Sequence, residues 1–181
     1  MGWTIESGFQ RVRLTPPAPS DTMGQGGLPR SPGVRGNILF VNIKIAESDH
    51  EIAACFTAMR ELRPQLRAEE FVERVRRQQK GGYLLALLED EGRVFTTAGY
   101  RYNENLAWGR HMYVDDLVTL PEGRSRGYGK QMLDWLIGES RARGCDEFHL
   151  DSGVQRFGAH RFYLTHRMDI TSHHFALRLK G

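Results

Sequence analysis

The chain has 181 residues, of which 40% are hydrophobic and 26% are charged, and this is the size and composition of one globular domain. Its net charge of +3 suits an anionic cofactor as well as weak nucleic-acid contact, so the charge alone decides neither. The sequence has no run of 18 apolar residues and begins without a basic-then-apolar signal pattern, so we expect a cytoplasmic protein without a membrane partner.

The first 36 residues differ in composition from the rest of the chain. They contain five of the seven prolines and show no apolar periodicity. Such a segment cannot bury enough surface to offset the entropy that is lost on ordering. We therefore predict a disordered leader over residues 1–36, or translation from a later start such as Met23, and a folded domain over residues 37–181.

The first half of the domain predicts a strand, two helices and a hairpin. Residues 38–46 are rich in β-branched side chains, as strands are. Ser48 and Glu51 form a capping box, and the helical apolar spacing that follows continues to Leu62 before Pro64 ends it. The pattern then predicts a helix over residues 67–80, strands over 83–88 and 93–102, and a loop over 103–110.

The second half alternates strands and helices. An apolar strand with two acids inside it begins at His111, and a glycine-rich turn leads from it into a helix. We predict that helix over residues 128–143, a strand over 145–151, a helix over 155–166 and a strand over 171–180. This order predicts an α/β fold, with a mixed central sheet of six to seven strands and helices on both faces.

The glycine-rich turn resembles a phosphate-binding loop in composition. The free N–H groups and the dipole at the start of a helix favour an anion there. The Walker A pattern fails, because Arg124 stands where it requires Gly and Gln131 where it requires Ser or Thr. The dinucleotide pattern fails because Met132 replaces its third Gly. What remains is Arg124-x-x-Gly127-x-Gly129.

This remaining pattern resembles the R/Q-x-x-G-x-G/A motif of the GNAT superfamily of acyl-CoA-dependent N-acyltransferases. Residues 159–163 read Ala-His-Arg-Phe-Tyr and resemble the family's second signature, A-x-x-F/L-Y, on the expected helix. The predicted order of elements is also similar to the GNAT fold over residues 37–181. Residues 114–129 further resemble the strand and loop of small amine and polyamine acetyltransferases, which carry paired acids there.

Three positions depart from the family pattern. Arg156 stands where the family often has Asn, and Glu122 where a basic or neutral residue is common. Arg167 and Met168 replace the usual Gly-Phe after the last helix. If the chain turns there with a positive φ, Arg167 is strained in a way that Gly would not be.

The resemblance implies that acetyl-CoA is the acyl donor and co-substrate. Its pyrophosphate would lie on the N–H groups of the glycine-rich turn, where arginines add charge-assisted hydrogen bonds. Its pantetheine arm would bond to the main chain of the central strand, where that strand splays from its neighbour. The residues so implied are Leu117, Val118, Thr119, Arg124, Ser125, Arg126, Gly127, Tyr128, Gly129 and Lys130.

The implied reaction is direct attack of a primary amine on the thioester. The amine must lose a proton, and Asp115 or Asp116 could accept it, with Glu104 and His111 as reserves. Because successive side chains of a strand face opposite ways, we expect at most one of the two aspartates to face the substrate. Tyr163 is the candidate acid for the leaving thiolate, since a phenol stays protonated at neutral pH.

The other titratable residues predict no further chemistry. Four histidines near the C-terminus match no zinc spacing, and no cysteine lies close to them, so we expect no metal. Cys55 and Cys145 should be reduced and buried. The four histidines are His160, His166, His173 and His174.

Two other functions stay open from the sequence alone. A non-catalytic, acyl-CoA-binding regulatory domain could use the same fold, although it would not need the acid pair and the tyrosine. A transferase could instead act on a macromolecular amine, at a protein N-terminus or on aminoacyl-tRNA. The dispersed charges favour a small-molecule amine over nucleic acid, and the sequence is compatible with a homodimer.

Overall fold

The computed structural model describes residues 41–180, so the predicted leader over residues 1–36 lies outside the described part of the chain. The elements in chain order are β1 (Asn42–Ile45), α1 (Asp49–Ala54), α2 (Phe56–Leu62), α3 (Ala68–Gln79), β2 (Leu84–Asp90), β3 (Arg93–Asn105), β4 (Gly109–Thr119), α4 (Tyr128–Ala142), β5 (Glu147–Leu150) and α5 (Phe157–Thr165).

The strands form one mixed sheet in the order β1-β2-β3-β4-β5. The first four are antiparallel neighbours, and β5 runs parallel to β4. The mixed α/β fold is confirmed, but the described chain supplies five strands to the sheet rather than the predicted six to seven. The missing strand is the one predicted over residues 171–180, which are exposed and pair with no described strand.

Helices cover both faces of the sheet, as predicted. On one face, α1, α2 and α3 bury Ile52, Met59 and Phe71 against side chains of β2. On the other face, α4 buries Met132 and Leu136 against the opposite side chains of the same sheet. The alternation of side chains along the strands therefore divides the core into two layers.

The start of the first helix is confirmed in detail. Ser48 accepts a hydrogen bond from the N–H of Glu51, and the Glu51 carboxylate accepts one from the N–H of Ser48. The helix does not run unbroken to Leu62, however. Cys55 donates its N–H to Ile52, three residues back, and this tighter turn separates α1 from α2.

The predicted loop over residues 103–110 is wrong, because most of it belongs to strands. β3 continues to Asn105 and β4 begins at Gly109. The Asn105 side chain accepts hydrogen bonds from the N–H groups of Ala107 and Trp108, at 3.0 and 2.8 Å. This side-chain turn closes the hairpin tightly, so only residues 106–108 remain outside the two strands.

Candidate active site

The two aspartates of β4 lie at an irregularity in the sheet. Gly99 pairs with Asp116 and Tyr100 pairs with Val114, so Asp115 is left without a partner on β3. Such a β-bulge inserts one residue and re-aims the side chains beside it. The two aspartates therefore do not face opposite ways, as unbroken alternation would require, and both line one cavity.

Each aspartate is bound to an arginine. Arg101 donates from Nε to Asp115 Oδ2 at 2.8 Å, and Arg63 donates from Nε to Asp116 Oδ1 at 2.8 Å. Arg63 also donates to the main-chain carbonyl of Asp115 at 3.2 Å. Two neighbouring carboxylates can both be ionised when each has a cation beside it. The arrangement therefore places two carboxyl groups, each paired with an arginine, at one place on the strand.

A buried tyrosine completes the surroundings of Asp116. The Tyr83 hydroxyl lies 3.5 Å from Asp116 Oδ2. It reaches that position across Gly99, where a Cβ atom would lie 1.9 Å from the hydroxyl oxygen. Burial, and then the nearby Asp116, raise the pKa of Tyr83, so its hydroxyl stays protonated. Position 99 therefore has to be glycine, because a side chain there would clash with the Tyr83 ring.

An open cavity of about 360 Å³ contains these groups. Three arginines and two aspartates contribute to its polar wall, and Arg63 and Arg101 hold the aspartates. The third arginine, Arg74 on α3, has no ion pair to another residue within the described range 41–180. The complete lining is Met59, Arg63, Gln65, Leu66, Phe71, Arg74, Val75, Gln78, Tyr83, Arg101, Asp115 and Asp116.

Asp115 has the properties of a proton acceptor. Burial raises the pKa of Asp115 above its ordinary value, and the hydrogen bond from Arg101 opposes that rise. A carboxylate accepts a proton more effectively as its pKa approaches the working pH. Asp115 therefore lines the cavity and also has a raised pKa, and both properties suit a proton acceptor.

Beyond the bulge, β4 loses its second neighbour. β5 pairs with β4 over residues 111–114, whereas β3 continues beside β4 as far as Thr119. One edge of residues 115–119 therefore has no strand partner among the described residues. Leu117, Val118 and Thr119, the residues that the sequence suggested for the pantetheine arm, lie on this edge. Main-chain groups on such an edge are available to an extended ligand.

The glycine-rich turn begins α4 as predicted. Gly127 is the N-cap, with a φ of 78° and no side-chain hydrogen bond to the helix. The first main-chain bond of the helix runs from the N–H of Gln131 to the carbonyl of Gly127, at 3.0 Å. The N–H groups of residues 128–130 therefore precede the first helical hydrogen bond. They point along the helix dipole and can receive an anion.

Gly129 lies where three elements meet. A Cβ atom at Gly129 would be 3.3 Å from Thr119 Oγ1 and 3.9 Å from the ring of Phe162. The end of β4, the start of α4 and the middle of α5 are thus neighbours. The two sequence motifs, although far apart in the chain, come together in the fold. The missing side chain at Gly129 leaves a narrow cradle between them.

The cations of the turn are not all free for a phosphate. Arg124 places Nε 3.4 Å from the carbonyl of Thr119, beside the open edge of β4. Arg126 lies over the ring of Phe95, and Lys130 forms an ion pair with a neighbouring aspartate. Arg124 is therefore the turn's cation that lies closest to the expected path of the donor.

Two other residues of the turn have mainly local roles. The Tyr128 side chain is buried and donates to Asp90, so that only its main-chain N–H lies at the start of α4. Ser125 has a φ of 66°, a left-handed conformation that non-glycine residues rarely adopt. Both features fix the path of the main chain before the helix.

Tyr163 lies on α5, next to Phe162, whose ring lies 3.9 Å from where a Cβ atom of Gly129 would be. Its ring packs against Phe162, with the two ring centroids 5.4 Å apart. Burial raises the pKa of Tyr163, and Arg156 partly opposes this rise. The phenol therefore stays protonated at neutral pH. The turn after α5 is left-handed at Arg167, where φ is 64°, so this departure from the family's glycine does place an arginine in a strained conformation.

The reserve candidates do not line the cavity with the aspartates. Glu104 is exposed near the β3–β4 turn. His111 is buried, its Nδ1 lies 3.1 Å from the carbonyl of Gly109, and its ring packs against Trp108 and His149. No three His, Cys, Asp or Glu side chains within residues 41–180 are placed to hold a metal ion.

Two further expectations concern cysteines and membranes. Both cysteines are free thiols, but Cys55 is buried whereas Cys145 is only half-buried. Burial raises the pKa of the Cys55 thiol to about 12, which makes it unreactive.

None of the described helices has the length and apolar character needed to cross a membrane.

Sequence reasoning missed the cationic side of the cavity. Arg63, Arg74, Arg101 and Tyr83 were not assigned a role, although they surround the aspartates. One signal was present, since Arg101 follows a run of buried residues in β3. Arg63 and Arg74 carried no such signal, because their positions at a helix end and on a charged helix are typical of solvent-facing residues.

Comparison with known proteins identifies the family. The sequence model of the GNAT acetyltransferase family matches residues 46–167. The chain belongs to the GNAT acetyltransferase family. It is therefore an acyltransferase of the N-acetylating kind, and the free edge of β4 and the cradle at Gly129 fit the acyl-CoA that such enzymes bind.

Individual GNAT relatives resemble the chain to different extents. An uncharacterized N-acetyltransferase of Bacillus subtilis strain 168, YhdJ, is 34% identical over 139 residues, which is 76% of this chain and 97% of the relative. The aminoalkylphosphonate N-acetyltransferase of Salmonella typhimurium is 39% identical over 51 residues, which is 28% of this chain and 33% of the relative. A solved aminoglycoside N-acetyltransferase in complex with CoA shares the fold, with a TM-score of 0.66 at 13% identity over 78% of this chain and 97% of that chain.

Proposed function

We propose that this enzyme transfers an acetyl group from acetyl-CoA to the primary amine of a small molecule that also carries an anionic group. The observation that carries the proposal is the β-bulge, which presents Asp115 and Asp116 together to a cavity that also contains three arginines. The cavity would receive the acceptor, and the open edge of β4 would receive the donor.

Acetyl-CoA supplies an activated acetyl thioester when it is bound. The N–H groups at the start of α4 would hold its pyrophosphate, with Gly127 and Gly129 allowing close approach. The main chain of Leu117, Val118 and Thr119 would hold its pantetheine arm. These roles are supported by the free edge and by the family.

The acceptor's amine has to lose a proton before it can attack. The pKa of an alkylammonium group is about 10.4, so a base is needed at neutral pH. Asp115 is that base, because burial raises its pKa, and Asp116 lies beside it in the same cavity. As the new C–N bond forms and the C–S bond breaks, Tyr163 protonates the leaving sulfur.

Arg74 is the reason for proposing that the acceptor carries an anionic group. Arg63 and Arg101 are engaged with the two aspartates, so Arg74 adds an uncompensated positive charge to the cavity. A carboxylate, phosphonate or phosphate on the acceptor would pair with Arg74, while the acceptor's ammonium group approaches the aspartates. The similarity of 51 residues to an aminoalkylphosphonate N-acetyltransferase supports this class of acceptor.

A screen of matched amines tests the proposal. Ethylamine, β-alanine and 2-aminoethylphosphonate share a short aliphatic amine and differ in the attached anion. We expect thiol release from acetyl-CoA with the two anionic amines, together with an acetylated product by mass spectrometry, and much less release with ethylamine. Thiol release with ethylamine alone would contradict the proposed acceptor class.

Arg74→Met gives the sharper form of this test, because it removes the charge and keeps much of the side chain. For an anionic amine, kcat/KM should fall about tenfold or more, the usual loss for one charge-assisted hydrogen bond. Arg77→Met is the matched control, since Arg77 is exposed on the same helix and does not line the cavity. An equal fall of kcat/KM in both variants would show that Arg74 has no specific role in binding the acceptor.

The same assay, repeated with a peptide N-terminus and with aminoacyl-tRNA as acceptors, separates the two alternative functions. A regulatory domain would bind acetyl-CoA but release no thiol with any amine. A transferase for protein N-termini or aminoacyl-tRNA would release thiol only with those macromolecules. Either outcome would overturn the proposed small-molecule acceptor.

A further inference from the structure

The side of α3 that faces the cavity carries two polar residues one helical turn apart. Phe71, Arg74, Val75 and Gln78 recur at helical spacing, and all four line the cavity. Phe71 and Val75 are buried, whereas Arg74 is half-buried and Gln78 is exposed. Residues four apart on a helix are neighbours, so the side chains of Arg74 and Gln78 emerge close together.

The main chain and the side chain of Gln78 are both held in place. Its carbonyl accepts hydrogen bonds from the N–H groups of Gly81 and Tyr83, at 2.8 and 3.2 Å. Its side-chain Oε1 accepts a hydrogen bond from Nη2 of Arg101 at 2.9 Å. Arg101 is itself fixed, because its Nη1 donates to the carbonyl of Gly81 at 3.1 Å and its guanidinium lies over the Tyr83 ring.

The bond from Arg101 determines which way the Gln78 amide points. A guanidinium has only donors, so the Gln78 atom that faces it has to be the oxygen. The amide NH2 then lies on the other side of the group, away from Arg101. Within residues 41–180 this NH2 donates to no other side chain or carbonyl. Two N–H donors of Gln78 are therefore left for a ligand in the cavity that the residue lines.

The charges around Gln78 suit an anionic group rather than a cationic one. Arg74 has no ion pair in the described part of the chain, and Arg101 places its positive charge on the oxygen side of the amide. Polarisation by that charge makes the NH2 a stronger donor. An ammonium group here would meet a cation and two N–H groups, whereas a carboxylate, phosphate or phosphonate could accept hydrogen bonds from both side chains.

Arg101 also connects Gln78 to the proposed base. The same guanidinium donates from Nε to Asp115 and from Nη2 to Gln78. Because a guanidinium is planar and rigid, one group sets the position of the base relative to the amide. The amine end and the anion end of the cavity are therefore held at a fixed separation.

We propose that Gln78 is a specificity-determining residue of the acceptor site, whose amide NH2 donates to the acceptor's anionic group beside Arg74. The inference rests on the proposed acceptor class and adds a second, uncharged contact to it. Gln78 thereby favours acceptors that carry an anion and disfavours acceptors that carry a second ammonium group.

Gln78→Glu separates this role from simple support of Arg101. A glutamate keeps an oxygen for Arg101 but replaces the NH2 by a second oxygen. For β-alanine and 2-aminoethylphosphonate, we expect kcat/KM relative to ethylamine to fall about tenfold or more, because a donor to the anion becomes a like charge. The fall should appear mainly as a higher KM, since the contact is made before the transition state as well as in it.

Gln79→Glu is the matched control, because it introduces the same charge one residue away. Gln79 accepts a hydrogen bond from Arg76 and does not line the cavity, so this variant should keep the preference for anionic amines. Ethylenediamine gives an independent measurement, since Gln78→Glu should accept its second ammonium group better than the parent enzyme does. Gln78→Met should weaken the binding of the anionic amines without this gain.

The outcomes separate this inference from the proposed function. If the parent enzyme prefers anionic amines and Gln78→Glu keeps that preference, Gln78 only supports Arg101, and the inference is wrong while the acceptor class stands. An equal loss of the preference in Gln79→Glu would also overturn the inference, because charge alone would explain it. If the parent enzyme shows no preference for anionic amines, the acceptor class fails and the inference fails with it.

Discussion

The proposed role of the Tyr163 hydroxyl can be separated from the packing of its ring. Tyr163→Phe keeps the ring and removes the proposed proton donor. We expect kcat to fall about 100-fold or more, and the affinity for acetyl-CoA to change little, because the lost contact acts mainly in the transition state. Steady-state kinetics with an amine from the screen, together with calorimetry, measures both effects.

Tyr113→Phe is the control for this substitution. Its hydroxyl donates to Asp151, and it lies on β4 rather than in the α5 motif. We expect nearly full activity from this variant. A folded Tyr163→Phe enzyme that also kept nearly full turnover, when chemistry limits the rate, would reduce Tyr163 to a packing residue.

Arg167 is strained by its backbone conformation. Its φ of 64° places it in the left-handed region, which Gly occupies without a steric cost. Arg167→Gly should therefore raise the free energy of unfolding by about 0.5–1 kcal/mol, despite the added flexibility of the unfolded chain. Denaturant titration measures the change.

Arg161→Gly gives the comparison, because it makes the same substitution at an exposed position inside α5. There the loss of helix propensity should destabilise the protein by about 1 kcal/mol. If both variants lose stability, the left-handed turn at Arg167 does not store the expected strain.

At the scale of elements, the capping box of α1 couples helix stability to pH. Glu51 accepts hydrogen bonds from Lys44 and from the N–H of Ser48, and the first of these is the main cause that lowers the pKa of Glu51 to about 2. Because the folded-state pKa lies below the ordinary 4.5, the stabilisation is present above about pH 4.5 and is lost as the pH falls towards 2.

Glu51→Gln should therefore cost about 1 kcal/mol of stability at neutral pH, and progressively less as the pH falls from 4.5 through 2. Urea titrations across this range provide the measurement. Glu73→Gln serves as the control, since Glu73 is exposed on α3. A cost that is the same at both ends of the range would show that the charge of Glu51 does not stabilise the helix.

Sequence patterns predicted the start of a helix correctly where the signal lies within a few neighbouring residues. The capping box fixed the start of α1, and the glycine-rich turn fixed the start of α4. The bulge was missed because the alternation was taken as unbroken through Asp115. Val114 and Leu117 pack on the same side although they are three residues apart, and this odd spacing is the signal of an inserted residue.

The predicted strand over residues 171–180 shows a different limit. Alternation describes which side chains share a face, but a strand also needs a partner for its main-chain groups. No local pattern states whether that partner lies in the same chain. The arginines of the cavity were missed for a similar reason, since Arg63, Arg74 and Arg101 come from separate elements that only the fold brings together.

At the scale of the whole molecule, Gly129 lies between the proposed donor and acceptor sides of the site. The unpaired edge of β4 leads from the bulge aspartates to Thr119, which faces Gly129 and the start of α4. Phe162 closes the same point from α5 and lies beside Tyr163. The path from the proposed base to the proposed phosphate site therefore depends on three elements that are distant in sequence.

Calorimetric titration of acetyl-CoA into Gly129→Ala and Gly138→Ala tests this arrangement most directly. Both glycines lie in α4, but a Cβ at Gly138 meets nothing within 4 Å, whereas at Gly129 it enters the cradle beside Thr119. We expect affinity to fall at least about tenfold in Gly129→Ala, as donor N–H contacts are blocked, and to stay unchanged in Gly138→Ala. Unchanged affinity in a folded Gly129→Ala protein would contradict the placement of acyl-CoA at the start of α4.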